Sequence, residues 1–95
     1  MDEKQPTGIT EEIEETDIDI GLPFQVILYN DDYHTFEEVI VQLIKAIRCT
    51  FEKARDFAFE VHVKGKAAIF AGELNKCLKV SSILQEIDLH TQIVS

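Results

Sequence analysis

One short stretch of the chain carries strand, turn and helix signals in immediate succession. Residues Val26–Tyr29 are apolar or β-branched, a composition typical of a buried strand. Asn30–Asp32 follow directly and favour a turn, because short Asn and Asp side chains bond to their own backbone. Thr35 and Glu38 then have the spacing of a capping box, which begins a helix. We therefore predict that two carboxylates and one amide lie in a turn fixed by regular structure at both ends.

The charge of the chain is unevenly distributed along its 95 residues. Residues 1–20 hold eight acidic side chains and one lysine, a net charge of -7, whereas residues 21–95 are close to neutral at -2. We predict a flexible, disordered acidic extension over 1–20 and a single folded domain over 21–95. The overall charge of -9 argues against a nucleic-acid partner, since phosphates require a basic surface.

The cysteines and the distribution of apolar residues indicate the cellular compartment in which the chain is expected. Cys49 and Cys77 are too few for a disulfide framework and lack the spacing of a metal site, so we interpret them as reduced thiols. No apolar run approaches the roughly 20 residues that a membrane span needs, and the N-terminal residues do not resemble a secretory signal. We expect a monomer without membrane contact in the cytoplasm, with the plastid stroma as the alternative.

Hydrophobic spacing predicts three helices. Between Phe36 and Ile47 the apolar residues recur at three- and four-residue intervals, which gives an amphipathic stripe. Similar spacing predicts helices over 51–61 and 73–87, and apolar runs predict strands over 26–29, 67–71 and 92–94. The order β-α-α-β-α-β predicts an α+β fold, with three helices on one face of a small antiparallel three-stranded sheet.

Catalytic motifs are missing from the sequence. There is no nucleophile elbow, phosphate-binding loop or H-E-x-x-H zinc motif, so we predict no enzyme activity, no cofactor and no bound metal. His62, at the end of the second predicted helix, could face the Asn30–Asp32 turn. Each element alone also has a purely structural interpretation, as a turn and a helix end. A small divalent-metal protein is a further alternative, although Asp-Asp-x-His is a weak metal signal.

Two separated motifs resemble the ClpS family of adaptors, which deliver N-degron substrates to a Clp unfoldase. The first is Val-Ile-Leu-Tyr-Asn-Asp-Asp-Tyr at 26–33, and the second is Glu-Val-His-Val-Lys-Gly-Lys-Ala at 60–67. Their order and spacing agree with the family over roughly residues 22–73. The resemblance implies a small sheet with three helices, as the hydrophobic pattern also predicts.

The resemblance further implies two sets of binding residues. A free α-ammonium offers three donors and a positive charge, so it requires acceptors and negative charge. The residues implied for the α-amine are Asn30, Asp31, Asp32 and His62. Those implied for a hydrophobic pocket are Leu28, His34, Phe36, Val39, Ala58 and Val61. Expected ligands are proteins or peptides that begin with Phe, Tyr, Trp or Leu.

The sequence also departs from the family pattern. Phe36 stands where the family has a gate methionine, and Ala58 replaces a second pocket methionine. The family's stretch after Gly65 is longer by about two residues. On the surface that faces the unfoldase, Glu73 matches a family glutamate and Lys79 is the nearest candidate for a family lysine.

We therefore predict a non-catalytic adaptor that binds the N-terminal domain of a Clp AAA+ unfoldase and uses its acidic extension in delivery. The alternative is a ClpS-like peptide-binding or regulatory module that has lost delivery.

Overall fold

The computed structural model describes residues 23–95, and the predicted acidic extension lies outside them. The three strands are β1 (Phe24–Tyr29), β2 (Lys66–Gly72) and β3 (Thr91–Val94). The three helices are α1 (Phe36–Ile47), α2 (Phe51–Lys64) and α3 (Leu74–Leu84), and a 3₁₀ turn at Gln85–Ile87 follows α3. The predicted α+β class and the order of elements are confirmed.

β1 is the central strand of the sheet, whose order is β2-β1-β3 with both pairs antiparallel. Its register with β2 shifts between Val26 and Ile27. Side chains of Val26 and Leu28 point to the same face, as alternate residues of a strand do, and are fully buried. The helices pack on this face, and their buried residues complete one continuous core.

Two helix boundaries differ from the prediction. α2 continues three residues beyond Val61 to Lys64, where Gly65 ends it in the left-handed conformation at φ 89°. Glycine adopts that conformation without the steric cost that a Cβ imposes. α3 ends at Leu84, and the rest of the predicted helix is the 3₁₀ turn, which ends at Asp88 with φ 65°.

The predicted capping box at the start of α1 is confirmed. The Thr35 hydroxyl accepts a hydrogen bond from the Glu38 N–H at 3.0 Å, and the Glu38 carboxylate accepts one from the Thr35 N–H at 2.8 Å. These two bonds satisfy backbone donors that the first helical turn leaves unpaired. They fix the direction in which the preceding turn enters α1. Among the helices of residues 23–95, none has the length and apolar character to cross a membrane.

Candidate binding site

A cavity of about 490 Å³ opens where β1 ends, between the following turn, the start of α1 and the C-terminal half of α2. Its volume is within the usual range for small-ligand sites. The residues that line it are Asn30, Asp31, Asp32, His34, Thr35, Phe36, Val39, Ala58, Val61 and His62. Nine of the ten residues that the sequence suggested for ligand binding therefore lie around one cavity.

Backbone hydrogen bonds fix the turn to the elements on both sides of it. The Asn30 N–H donates to the Gly65 carbonyl at 2.9 Å, and the Tyr29 N–H donates to the His90 carbonyl at 3.0 Å. Gly65 ends the helix that carries His62. The first of these bonds therefore holds Asn30 and His62 on the same side of the cavity, although 32 positions separate them in the sequence.

The Asp31 carboxylate is bonded within the turn. Its Oδ1 accepts hydrogen bonds from the N–H groups of Tyr33 at 2.8 Å and His34 at 3.0 Å, and its Oδ2 lies 2.7 Å from the His34 ring Nδ1. Burial raises the pKa of Asp31, but these hydrogen bonds and the nearby histidine outweigh it, and the pKa falls below its ordinary value. The geometry gives Asp31 a role in shaping the turn.

The His34 ring lies between two acceptors. Its Nδ1 faces the Asp31 carboxylate, and its Nε2 is hydrogen-bonded to the backbone carbonyl of Ile87. A neutral imidazole has a single N–H, so only the protonated ring donates to both. Burial lowers the pKa of His34, but the bonds to Ile87 and Asp31 and the charges of Asp31 and Glu38 outweigh it, and the pKa is raised. The wall of the cavity is thereby tied to the segment before β3.

Three polar side chains remain available to a ligand. The side chains of Asn30, Asp32 and His62 form no hydrogen bond with another residue of the described range 23–95, and all three residues are exposed. Since His34 offsets the charge of Asp31, Asp32 supplies the uncompensated negative charge on this side of the cavity. The rim thus combines one carboxylate, one amide and one imidazole.

The opposite part of the cavity is apolar. Ala58 and Val61 on α2 are 3% and 4% exposed and form a buried surface beside the half-buried Val39. Phe36, the first residue of α1, is 42% exposed. Because Ala58 occupies little volume and Phe36 stays at the edge, the cavity has room for a large apolar side chain.

Leu28 is the one predicted pocket residue that does not line this cavity. It is fully buried below it and lines a separate space of about 20 Å³ together with Val39, Val61 and Leu89. Leu28 therefore supports the apolar wall from behind.

Sequence reasoning missed two residues here, the cavity-lining Thr35 and the Ile87 carbonyl that holds His34. The capping-box motif identified Thr35 as the start of the helix but did not indicate a position on the cavity. A backbone carbonyl has no sequence signature, so no signal pointed to Ile87.

The two residues predicted to face an unfoldase lie outside the cavity, one just before α3 and one on it. Glu73 is the N-cap of α3 but makes no capping hydrogen bond through its side chain, and Lys79 is exposed along the helix. As for a metal, residues 23–95 contain no group of three or more His, Cys, Asp or Glu side chains that could hold one.

Comparison with known families agrees with the two sequence motifs. The family model described as "ATP-dependent Clp protease adaptor protein ClpS" matches residues 21–92. The chain belongs to the ClpS family. The resemblance seen in the two motifs is thereby confirmed.

Among the curated proteins that share sequence with this ClpS-family chain are a ubiquitin ligase and a Clp protease adapter. One is the E3 ubiquitin-protein ligase UBR2 of Homo sapiens, 34% identical over 61 residues, which are 64% of this chain and 4% of the ligase. The other is the ATP-dependent Clp protease adapter protein ClpS of Lawsonia intracellularis (strain PHE/MN1-00), 42% identical over 53 residues, which are 54% of this chain and 49% of the adapter. The chain thus spans a small part of the ligase and about half of the adapter.

A solved structure has the same ClpS fold. It is that of Agrobacterium tumefaciens ClpS2 bound to L-phenylalaninamide, with a TM-score of 0.71 and 22% sequence identity. The superposition covers 76% of this chain and 94% of that one. At this identity the likeness establishes the shared fold.

Proposed function

We propose that the cavity binds the first residue of proteins that begin with a bulky hydrophobic amino acid, and that the chain is an N-degron adaptor without catalytic activity. The single observation that carries the proposal is the division of one cavity into a polar rim and an apolar wall. An N-terminal residue has the same division, since a charged α-amine and an apolar side chain leave the same Cα.

The rim has the chemistry that an α-ammonium needs. The amide oxygen of Asn30 and a ring nitrogen of His62 are neutral acceptors, and the Asp32 carboxylate adds negative charge. A hydrogen bond from a charged donor contributes about 1.5–3 kcal/mol net. Asp31 contributes indirectly, because its carboxylate already holds the turn that presents Asn30 and Asp32.

The apolar wall supplies the second part of the affinity. Burying a Leu or Phe side chain contributes roughly 1.5–3 kcal/mol. Together with two charge-assisted hydrogen bonds the favourable contributions come to about 4.5–9 kcal/mol before the cost of association, so the rim and the wall are both needed for binding. An internal peptide segment has no α-ammonium, so only the burial of its apolar side chain would contribute to its affinity.

A peptide titration tests this function. Labelled peptides that differ only in their first residue, Phe, Tyr, Trp, Leu, Ile or Ala, are compared by fluorescence anisotropy. Each is also measured with its N-terminus acetylated. We expect binding of the free bulky hydrophobic N-termini and at least about tenfold weaker binding after acetylation, because the acceptors of the rim are then left unpaired. Equal affinity of free and acetylated peptides would show that the rim does not read the α-amine.

Delivery to a Clp AAA+ unfoldase is the second half of the proposal. Membership of the ClpS family supports it, with the N-terminal domain of the unfoldase as partner and Glu73, just before α3, and Lys79, on α3, as candidate contacts. We expect the chain to accelerate degradation of a Phe-initiated reporter by an unfoldase-protease. Removal of residues 1–20 should impair this acceleration without weakening peptide binding or folding. Intact peptide binding without any acceleration would favour the module that has lost delivery.

The similarity to UBR2 favours a second candidate, in which the same recognition domain supplies substrates for ubiquitin transfer. A protease adapter and a ubiquitin ligase act on their substrates in different ways. The segment that both share is therefore better explained by substrate binding than by delivery to a protease or by ubiquitin transfer. Testing the chain for association with a Clp unfoldase and with ubiquitin-ligase components separates the two. The peptide titration tests N-terminal residue binding, which both candidate functions require, and its result does not depend on which of them is correct.

A further inference from the structure

A second groove lies away from the candidate binding site, where the end of α1 meets α3 and β2, with a volume of about 320 Å³. Four basic side chains line it, namely Lys45, Arg48, Lys76 and Lys79. They are half of the eight lysines and arginines between residues 23 and 95, and no acidic residue lines the groove. A near-neutral domain thus concentrates positive charge on one face.

Most of this positive charge is unpaired. Lys45 forms an ion pair with Glu86 at 2.7 Å, but Arg48, Lys76 and Lys79 have no ion pair with any other residue of the described domain. Between the cations the groove is apolar, with Phe70 and Val80 among its lining. The groove therefore fits a segment that alternates negative charges with apolar side chains.

The chain itself contains such a segment. Residues 9–20 read Ile-Thr-Glu-Glu-Ile-Glu-Glu-Thr-Asp-Ile-Asp-Ile, with six acidic residues, four isoleucines and no basic residue. We propose that this segment, named here the acidic segment, docks in the basic groove of its own domain. Its carboxylates would pair with Arg48, Lys76 and Lys79, and its isoleucines would cover the apolar floor.

The connection point supports docking within one molecule. The described chain enters β1 at Phe24, which pairs with Gly72, and Val26 pairs with Phe70 of the groove. With about 4.8 Å between strands and about 3.3 Å per residue along them, Phe24 lies within roughly 8–9 Å of Phe70 along the sheet. Asp19 and Asp17 precede Phe24 by five and seven residues, which span up to roughly 17 and 24 Å. Both carboxylates can therefore reach the groove at Phe70, which Lys76 and Lys79 also line.

Attachment to the domain makes weak contacts sufficient. A short tether holds the segment at an effective concentration in the mM range, so an interaction of mM affinity already occupies the groove about half of the time. The groove also includes Lys79, a candidate contact for an unfoldase. The acidic segment and an external partner would then compete for this face. The inference does not depend on what the cavity binds.

Amide chemical shifts of the ¹⁵N-labelled full chain test the proposal. The wild type is compared with the variant Glu14→Gln, Glu15→Gln, Asp17→Asn and Asp19→Asn, which leaves the described domain unchanged. We expect shift differences concentrated at residues around the groove at about 20 mM salt, and their loss at about 0.5 M salt, where the Debye length is only a few Å. Absence of differences at low salt, or their concentration around the cavity instead, would overturn the proposal.

Variants of the groove give the reciprocal test. Lys76→Glu with Lys79→Glu should remove the response to the four substitutions in the acidic segment. The matched control, Lys53→Glu with Lys64→Glu, changes two exposed lysines of α2 outside the groove and should preserve it. Shifts that are independent of protein concentration support docking within one molecule. Shifts that grow with concentration would assign the groove to the acidic segment of a second copy and overturn the intramolecular arrangement.

Discussion

The ring Nδ1 of His34 lies 2.7 Å from Oδ2 of Asp31, within a single turn of the chain. Because the other ring nitrogen faces the Ile87 carbonyl, the protonated ring joins the turn of the cavity to the segment before β3. A cation is thereby built into the wall of a site proposed to bind another cation. Its charge is balanced by Asp31, which leaves the Asp32 carboxylate as the unbalanced negative charge beside the cavity.

This contact predicts a defined pH dependence of stability. The pKa of His34 is raised above its ordinary value of 6.5, so its contribution is complete below about pH 6.5 and is lost as the pH rises through the raised pKa. We expect His34→Ala to lower the free energy of unfolding by about 1–2 kcal/mol at pH 6 and by less at pH 8.5. Urea denaturation at both pH values measures this.

The control for this prediction is His90→Ala. His90 is exposed, and its ring stacks on Tyr29 at 4.7 Å between ring centroids without a carboxylate partner in the described domain, so any loss of stability in this variant should not follow the pH dependence expected for His34→Ala.

The pKa of Asp31 is lowered, so its contribution is present above its ordinary value of about 3.8 and is lost as the pH falls through the lowered pKa. A double-mutant cycle of Asp31 and His34 should therefore give its largest coupling between about pH 4 and 6.5. Coupling that is constant from pH 3 to 8.5 would contradict the imidazolium assignment.

The fold was predictable because its signals are local and repeated. The stripe from Phe36 to Ile47, the capping box and Gly65 each act over a few residues, and the structure confirms the elements that they predicted. The contacts that sequence reasoning missed join distant positions. His34 and Ile87 are 53 residues apart, and their bond uses a backbone atom, so side-chain chemistry gave no indication of it.

The site residues, like the other contacts, lie at distant positions in the sequence, and local patterns alone did not bring them together. Asn30 and His62 were suggested together because two family motifs contain them, whereas the spacing of residues alone left each with a structural interpretation. The basic groove was not predicted. Lys45 near the end of α1 and Arg48 just after it meet Lys76 and Lys79 only through the packing of α1 against α3. A charge patch assembled by tertiary packing has no compact sequence pattern.

Replacing His62 should weaken ligand binding without unfolding the domain. His62 is exposed at the rim of the cavity, so His62→Ala removes an acceptor but no buried volume. We expect a loss of about 10- to 100-fold in affinity for a Phe-initiated peptide, which corresponds to one charge-assisted hydrogen bond. His90→Ala, outside the cavity, should keep wild-type affinity. Equal affinities of the two variants would remove His62 from the site.

The volume left by Ala58 should favour aromatic first residues. Phe36 can meet a ligand ring edge to face, which adds about 0.5–1.5 kcal/mol beyond burial. We expect Phe, Tyr and Trp to bind better than Leu, and Ile and Val to be refused because the stiff Phe36 ring conflicts with branching at the ligand Cβ. Anisotropy with matched peptides measures the order. Leu binding tenfold tighter than Phe would instead show that Phe36 fills the cavity.

The same prediction can be tested from the protein side. Ala58→Met adds volume to a residue that is 3% exposed in the wall, so the affinity for Trp should fall by about tenfold, since an overpacked site costs about 1–3 kcal/mol. The affinity for Leu should fall less. Val63→Met, on the exposed side of the same helix, is the control and should leave both affinities unchanged. An equal loss for Trp and Leu would argue against a size effect.

Gln42 should contribute strongly to stability although it is polar and lies on α1. It is 6% exposed, and its Nε2 donates to the Ile83 carbonyl at 2.7 Å and to Glu86 at 3.1 Å. Gln42→Ala leaves the Ile83 carbonyl without this donor, so we expect a loss of about 1–3 kcal/mol in the free energy of unfolding. Val41→Ala, at a residue 62% exposed, should change it by less than about 0.5 kcal/mol. Similar losses in urea denaturation for both variants would contradict this assignment.

The central position of β1 determines when the candidate cavity can form during synthesis of the chain. β1 leaves the ribosome ahead of the rest of the described domain, but both of its partners, β2 and β3, are synthesised much later. The turn after β1 is anchored to Gly65 on one side and His90 on the other, so its shape depends on both pairings. Such non-local pairing is slow and completes late in folding. A nascent copy therefore passes through synthesis without a formed cavity, which is complete only when the last strand, β3, is in place.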